Sequence, residues 1–229
     1  MTAQDQTADI AWRDGTVPLS TRFDDPYFSL AGGLAETRHV FLAGNDLPAR
    51  LQGGFHIAEL GFGTGLNLLA TVLAFAATGR AGILTYTAFE AYPMAAADIA
   101  RALQAFPETA PLVPDLVRQW RDGPVIDLPG ITARVIIGDA RETLPAWPGR
   151  ADAWYLDGFS PAKNPEMWEP ALLFQVAART APGGSFATYT AAGFVRRALQ
   201  TAGFQVKRRP GFGTKRHMTA GCLPPDGPA

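Results

Sequence analysis

Three carboxylates in this chain each stand where a short apolar run ends: Glu90 after residues 83–89, Asp139 after residues 133–137, and Asp157 after residues 153–156. A fourth acid, Glu59, stands two residues ahead of the glycine turn Gly61-Phe62-Gly63-Thr64-Gly65. Apolar runs of this length read as buried strands, and in open α/β sheets ligands bind outside the carboxyl ends of the strands. The acids are thus in register with one another and with a turn whose backbone, stripped of side chains, can approach a ligand closely. Together they suit a positively charged, hydroxyl-rich ligand. Each acid alone reads equally well as a solvated strand end, and the turn alone as a tight connection.

The glycine spacing narrows the choice of ligand. Dinucleotide folds show G-x-G-x-x-G, with the last glycine in a helix whose N-terminus takes the pyrophosphate. Here the third glycine comes one residue early and an acid precedes the run. S-adenosylmethionine has no phosphate but carries an ammonium and a sulfonium, so a nearby carboxylate such as Glu59 is electrostatically favourable. The expected cofactor contacts are Glu59, then Gly61, Phe62, Gly63, Gly65 and Asn67 along the turn. Glu90 is expected to accept from both ribose hydroxyls and Asp139 from the adenine amino group.

Asp157 opens the stretch Asp157-Gly158-Phe159-Ser160-Pro161-Ala162-Lys163-Asn164-Pro165, too rich in Gly and Pro for regular structure and therefore an active-site loop. An aspartate here can accept from an acceptor amine and aim its lone pair at a methyl group. The difficulty in methylating an alkyl amine lies in the nucleophile: with a pKa near ~10.4 it is protonated at neutral pH, and Asp157 or an associated water is expected to receive the proton. Phe159 is expected to pack on a base or attract the sulfonium with its ring face. Asp157 could instead merely cap the following turn. Tyr189, at another strand end, is a second candidate for orienting the amine, although a core or rim tyrosine explains it as well. Asp24 and Asp25 read as a turn that could face the acceptor. His39, His56 and His217 lack metal-ligand spacing, so no metal is expected.

These residues need a scaffold, and the alternation after residue 55 supplies one. Strands are expected over residues 55–60, 83–89, 133–137, 153–156 and 185–189, with a closing pair over 204–208 and 215–222. Helices are expected over 66–78, 94–106, 166–180 and 194–202, and a proline-marked loop and a short helix follow residue 106. This is an α/β pattern, a Rossmann-like methyltransferase fold with a mostly parallel sheet and helices on both faces. Residues 1–54 lack the alternation and are expected to be an N-terminal appendage packed on a methyltransferase domain of residues 55–222. Residues 223–229 are expected to form a flexible tail. A length of 229 residues suits one such catalytic unit.

The apolar stretch at 66–77, broken by Asn67, is shorter than the ~20 residues that cross a bilayer and reads as a buried helix. Asp5 and Asp9 stand where a signal peptide needs a basic start, and the single cysteine, Cys222, suits a reducing compartment, so a cytoplasmic location is expected. Net charge is only −1, but no acid falls between Pro170 and Asp226, a span that holds Arg179, Arg196, Arg197, Lys207, Arg208, Arg209, Lys215 and Arg216.

The string YLDGFSPAKNPEMW at residues 155–168 closely resembles the methyltransferase half of the bacterial tRNA 5-methylaminomethyl-2-thiouridine biosynthesis enzymes, the MnmC family. RFDDPYFS (22–29), GLAETRHVFLAGN (33–45), ELGFGTGLN (59–67), AGFVRRAL (192–199) and GFGTKRHM (211–218) are similar to that family too, so the resemblance spans nearly the whole chain. It implies S-adenosylmethionine-dependent methylation of the primary amine of 5-aminomethyl-(2-thio)uridine at the tRNA wobble position, with Asp157 as the catalytic aspartate. A different acceptor, a small-molecule or protein amine, stays open. Many family members continue into a flavin-dependent oxidoreductase domain, and this chain is expected to lack FAD and that reaction. Thr214 and His217 depart from the family, standing where a basic and an acidic residue would be. The basic segment agrees with a tRNA partner, because phosphate neutralisation supplies most sequence-independent RNA affinity. Arg196, Arg197, Lys207, Arg208, Arg209, Lys215 and Arg216 are expected to form that surface, with solvated helix and strand faces as the alternative.

Overall fold

The computed structural model describes residues 7–29 and 32–225; residues 226–229 of the expected tail lie outside the described residues. The chain begins with an antiparallel meander of β1 (Ile10–Arg13), β2 (Val17–Ser20) and β3 (Asp25–Pro26). These strands are too short to carry a period-2 signal, which is why the sequence shows no alternation there. A run of short helical turns follows: α1 (Gly33–Thr37), a π-helical turn Arg38–Leu42, a 3-10 turn Ala43–Asn45 and α2 (Leu47–Arg50).

The main sheet comprises β4 (His56–Leu60), β5 (Leu84–Glu90), β6 (Val125–Leu128), β7 (Ile131–Ile137), β8 (Ala151–Leu156), β9 (Thr180–Thr188), β10 (Gln205–Pro210) and β11 (His217–Cys222). Its order is β10-β11-β9-β8-β4-β5-β7-β6, with β9, β8, β4, β5 and β7 parallel and both edges closed by antiparallel pairs. From β4 the chain runs outward through β5 to β7, then crosses to β8 on the other side of β4. The order therefore reverses between β4 and β8, and a crevice opens at the carboxyl ends of these two strands.

Helices cover both faces, as expected. α3 (Leu66–Ala77), α4 (Ala96–Leu103) and α5 (Val113–Asp122) share one face with residues 33–51, whose Leu34, Phe41 and Leu47 join a core with Tyr155, Ala187 and Met218. α6 (Ala140–Ala146), α7 (Pro170–Ala178) and α8 (Gly193–Thr201) cover the other, where Trp154, Leu156, Phe186 and Phe89 are buried. β8 supplies both cores because successive side chains point to opposite faces, so its inner residues are all apolar. The approach of residues 33–51 is close: a Cβ on Gly44 would stand 2.7 Å from that of Ala187. Arg50 ties the same segment to β8 and β9, donating to the Asp152 carbonyl at 3.0 Å and to Ser185 Oγ at 2.5 Å.

Several details differ from the expected elements, among them α6, which is not an expected helix, and β9, which begins at Thr180 rather than at residue 185. β6, which is not among the expected strands, pairs with β7 in a hairpin through Pro129-Gly130. The helix expected over 166–180 begins only at Pro170, because a residue before proline is pushed out of the helical region, and Glu169 sits at ψ 141. Leu223, counted in the tail, is buried and its N–H donates to the Gly184 carbonyl at 2.8 Å.

Candidate active site

The turn after β4 takes its shape from glycine. Gly61, Gly63 and Gly65 have φ values of 84°, 53° and 74°, in the left-handed region that side chains disfavour. A Cβ on Gly61 would meet the Asp157 carbonyl oxygen at 3.2 Å, so the turn and the end of β8 are in backbone contact. Glu90, at the end of β5, holds the turn from the other side. Its Oε2 accepts from the N–H groups of Phe62 (3.0 Å) and Gly63 (2.9 Å), and its Oε1 from Tyr92 (2.8 Å). Burial raises its pKa, and these backbone donors oppose the rise.

Asn67, in the first turn of α3, links two acids. Its Nδ2 donates to Glu59 Oε1 at 2.6 Å and to Asp157 Oδ2 at 2.8 Å, while its Oδ1 accepts from Thr37 Oγ1 at 2.8 Å. Glu59 is fully buried and also accepts from the Tyr86 hydroxyl at 2.8 Å. Burial, reinforced by the neighbouring Asp157, pushes its carboxyl well above the usual range and favours the neutral acid. Glu59 thus stands behind the turn, away from the cavity wall, and acts on it through Asn67.

Asp157 itself lines the cavity, with its Oδ1 accepting from the Gly158 N–H at 2.9 Å. Burial pushes its pKa up to about 6, with the Asn67 and Gly158 hydrogen bonds opposing. The loop beyond it is fastened on two sides. Tyr189 donates its hydroxyl to the Gly158 carbonyl at 2.7 Å, and Trp168 Nε1 donates to the Phe159 carbonyl at 2.9 Å. From the N-terminal segment, Asp25 accepts from the Ser160 N–H at 2.8 Å, and Lys163 pairs with Asp24 and Asp25 at 3.1 and 3.7 Å. Phe159 stacks on Phe23, centroids 4.8 Å apart, and meets Tyr27 edge-on at 5.0 Å.

These elements enclose a cavity of about 1180 Å³. Pockets for a single small ligand typically measure ~300–1,000 Å³, so this space is larger than one such ligand requires. Of the residues expected at the site, Gly61, Phe62, Gly63, Asn67, Glu90, Asp139, Asp157, Phe159 and Tyr189 line it, whereas Glu59 and Gly65 do not. Asp139 caps α6 and is engaged bidentately by Arg141, which lowers its pKa. The wall also contains residues the sequence leaves in the background: Phe23, Tyr27, Glu36 and Thr37, which reach the site only because the N-terminal segment forms its roof. Lys215, counted with the tRNA surface, belongs to this wall as well; its Nζ lies 2.7 Å from Glu36 Oε1 and 4.2 Å from the centroid of the Tyr189 ring.

The sequence model of a family described as "S-adenosyl-L-methionine-dependent methyltransferase" matches residues 106–224. The chain belongs to that family. It is 45% identical to the "tRNA 5-methylaminomethyl-2-thiouridine biosynthesis bifunctional protein MnmC" of Chromobacterium violaceum, over 96% of this chain and 35% of that one. It is 46% identical to the protein of the same name from Ectopseudomonas mendocina, over 93% of this chain and 34% of that one. The chain thus spans about a third of the length of these relatives. The crystal structure of MNMC2 from Aquifex aeolicus has the same fold, with a TM-score of 0.77 at 24% identity over all of this chain and 74% of that one.

A methyltransferase of this family uses a cationic, ribose-bearing cofactor, and the charge of the cavity wall suits such a ligand. Its wall carries more carboxylates, Asp25, Glu36, Glu90, Asp139 and Asp157 among them, than cations, which are Arg22, Arg141 and Lys215. No helix among the described residues is long and apolar enough to cross a membrane.

Proposed function

We propose that this methyltransferase acts on the primary amine of 5-aminomethyl-(2-thio)uridine at the wobble position of tRNA. The observation that carries this reading is Asp157: a half-buried carboxylate at the end of β8, beside the glycine turn and in a cavity with room for a second ligand. The relatives' names fit it, since the final methyl of a methylaminomethyl group sits on an amine.

Bound S-adenosylmethionine supplies an electrophilic methyl group and a leaving thioether that departs neutral. Gly61, Phe62, Gly63 and Asn67 line its expected place, with Glu90 toward the ribose and Asp139 toward the adenine; Glu59 and Gly65 shape the turn from behind. Asp157 accepts a hydrogen bond from the amine, directs its lone pair, and takes its proton directly or through a water. A pKa of about 6 suits this role, because the group is ionised at neutral pH yet a stronger base than an ordinary aspartate. Phe159, stacked on Phe23, gives the base an apolar wall, and Tyr189 acts as a positioning residue through Gly158.

For the tRNA backbone, Arg197, Lys207, Arg208 and Arg216 are the exposed cations, while Arg196 is half-buried with its Nε shut off from solvent. Arg209 pairs with Asp46 at 3.5 Å and Lys215 with Glu36, which reduces their part. Transfer of labelled methyl from S-adenosylmethionine to tRNA bearing aminomethyluridine, with unmodified tRNA as control, tests the proposal. Label on the modified tRNA alone supports it. Label on free amines but on neither tRNA would move the acceptor to small molecules.

A further inference from the structure

Lys215 presents a primary alkylammonium inside the cavity, the same functional group as a protonated aminomethyl substituent. Its Nζ is held by the Glu36 carboxylate at 2.7 Å and lies over the Tyr189 ring at 4.2 Å from the centroid. A ring face and a carboxylate together are the usual recognition elements for an alkylammonium. We propose that Glu36 and the face of Tyr189 form the subsite that receives the acceptor's ammonium, and that Lys215 is an internal occupant which the acceptor displaces. This rests on the reading of the acceptor as a primary alkyl amine.

The two sides of the contact are unequally fixed. Glu36 stands on α1 with its side chain only 12% exposed, and Tyr189 is anchored by its hydroxyl to the Gly158 carbonyl. Lys215 is 44% exposed and lies in the tip joining β10 to β11, beside Gly213 at a φ of 59°. The acid and the ring are therefore the permanent parts, and the lysine the removable one. Exchanging one ammonium for another leaves no carboxylate unpaired in the cavity, whereas a uridine without the aminomethyl group has nothing to offer Glu36 in return. Discrimination between modified and unmodified uridine follows from that imbalance. The subsite also adjoins the reacting end of the cavity, since Glu36 and Lys215 both act on the proton affinity of Asp157, in opposite directions.

The test is the binding of propylammonium and of 1-propanol, its uncharged counterpart, to the wild-type chain, to Lys215→Ala and to the double variant Lys215→Ala with Glu36→Gln. Lys215→Ala removes one half-exposed side chain, and thermal unfolding checks that each variant is folded. Lys215→Ala is expected to bind propylammonium roughly tenfold more tightly than wild type, the size of a partly desolvated cation–π contact, with propanol unchanged. Adding Glu36→Gln is expected to abolish the gain. Unchanged propylammonium binding in Lys215→Ala, or a gain that survives Glu36→Gln, would overturn the proposal. Because this readout does not involve methyl transfer, it stands or falls separately from the tRNA assignment.

Discussion

The side-chain amide of Asn67 donates to Asp157 Oδ2 at 2.8 Å, tying the first turn of α3 to the end of β8. The same nitrogen reaches Glu59, so a neutral donor shared by two carboxyl groups sets the position of the one that lines the cavity. Asn67→Ala leaves both acids and the Thr37 hydroxyl short of a partner. Each buried polar group so orphaned costs about 1–3 kcal/mol. The variant is expected to melt on the order of 10 °C lower in calorimetry. Its kcat should fall at least tenfold, beyond any change in cofactor affinity; a kcat equal to wild type would remove Asn67 from the positioning of Asp157.

Asp157 gives the reaction a pH limb. With the group pushed up to about 6, kcat/KM is expected to rise with unit slope below that pH and then level off. Asp157→Asn should abolish the limb and lower kcat roughly 10²–10⁴-fold while cofactor binding persists.

Stability moves the opposite way. The folded chain holds the Asp157 proton more tightly than the unfolded chain, whose aspartates titrate near ~3.9. The contribution of this group is thus fully favourable at low pH and declines as pH rises from about 4 to about 6. Relative to wild type, Asp157→Asn should therefore have a more favourable Tm at pH ~7.5 than at pH ~4.5. Equal differences at both would show that Asp157 titrates as an ordinary aspartate.

Glu90 is expected to act through the backbone. Glu90→Ala frees the N–H groups of Phe62, Gly63 and Tyr92 and loosens the turn. The affinity for S-adenosylmethionine, read by titration calorimetry, should fall about 10–100-fold, with Glu90→Gln intermediate because one acceptor oxygen remains.

Replacing Arg197, Arg208 and Arg216 together by alanine should weaken tRNA binding and reduce its dependence on salt. If each meets one phosphate, the slope of log K against log salt should drop by about 2–3. A slope unchanged by the triple replacement would return these residues to the solvated faces on which they sit.

Much of the geometry of the proposed cofactor half is legible in the sequence because it is local: a strand, a glycine turn, a helix, and acids that close the next strands. Strand alternation also accounts for Glu59, which shares its side of β4 with Ile57 and so faces the core under α3. The proposed acceptor half is hidden for a physical reason. Lys215 and Glu36 are 179 residues apart, and neither belongs to a periodic element that would announce the contact. The same holds for Asp25, whose place under Ser160 depends on three short strands with no period of their own.

The roof of the cavity has an implication for how such chains diversify. The pieces that cover the cavity around Asp157, residues 22–29 and 33–37 and the tip carrying Thr214 and Lys215, flank in sequence the stretch that supplies the glycine turn, Glu90 and Asp139. On the proposed assignment of donor and acceptor, exchange of these flanking pieces between homologous chains would retarget such an enzyme while leaving its methyl donor untouched, so that selectivity and donor use become separately inherited traits.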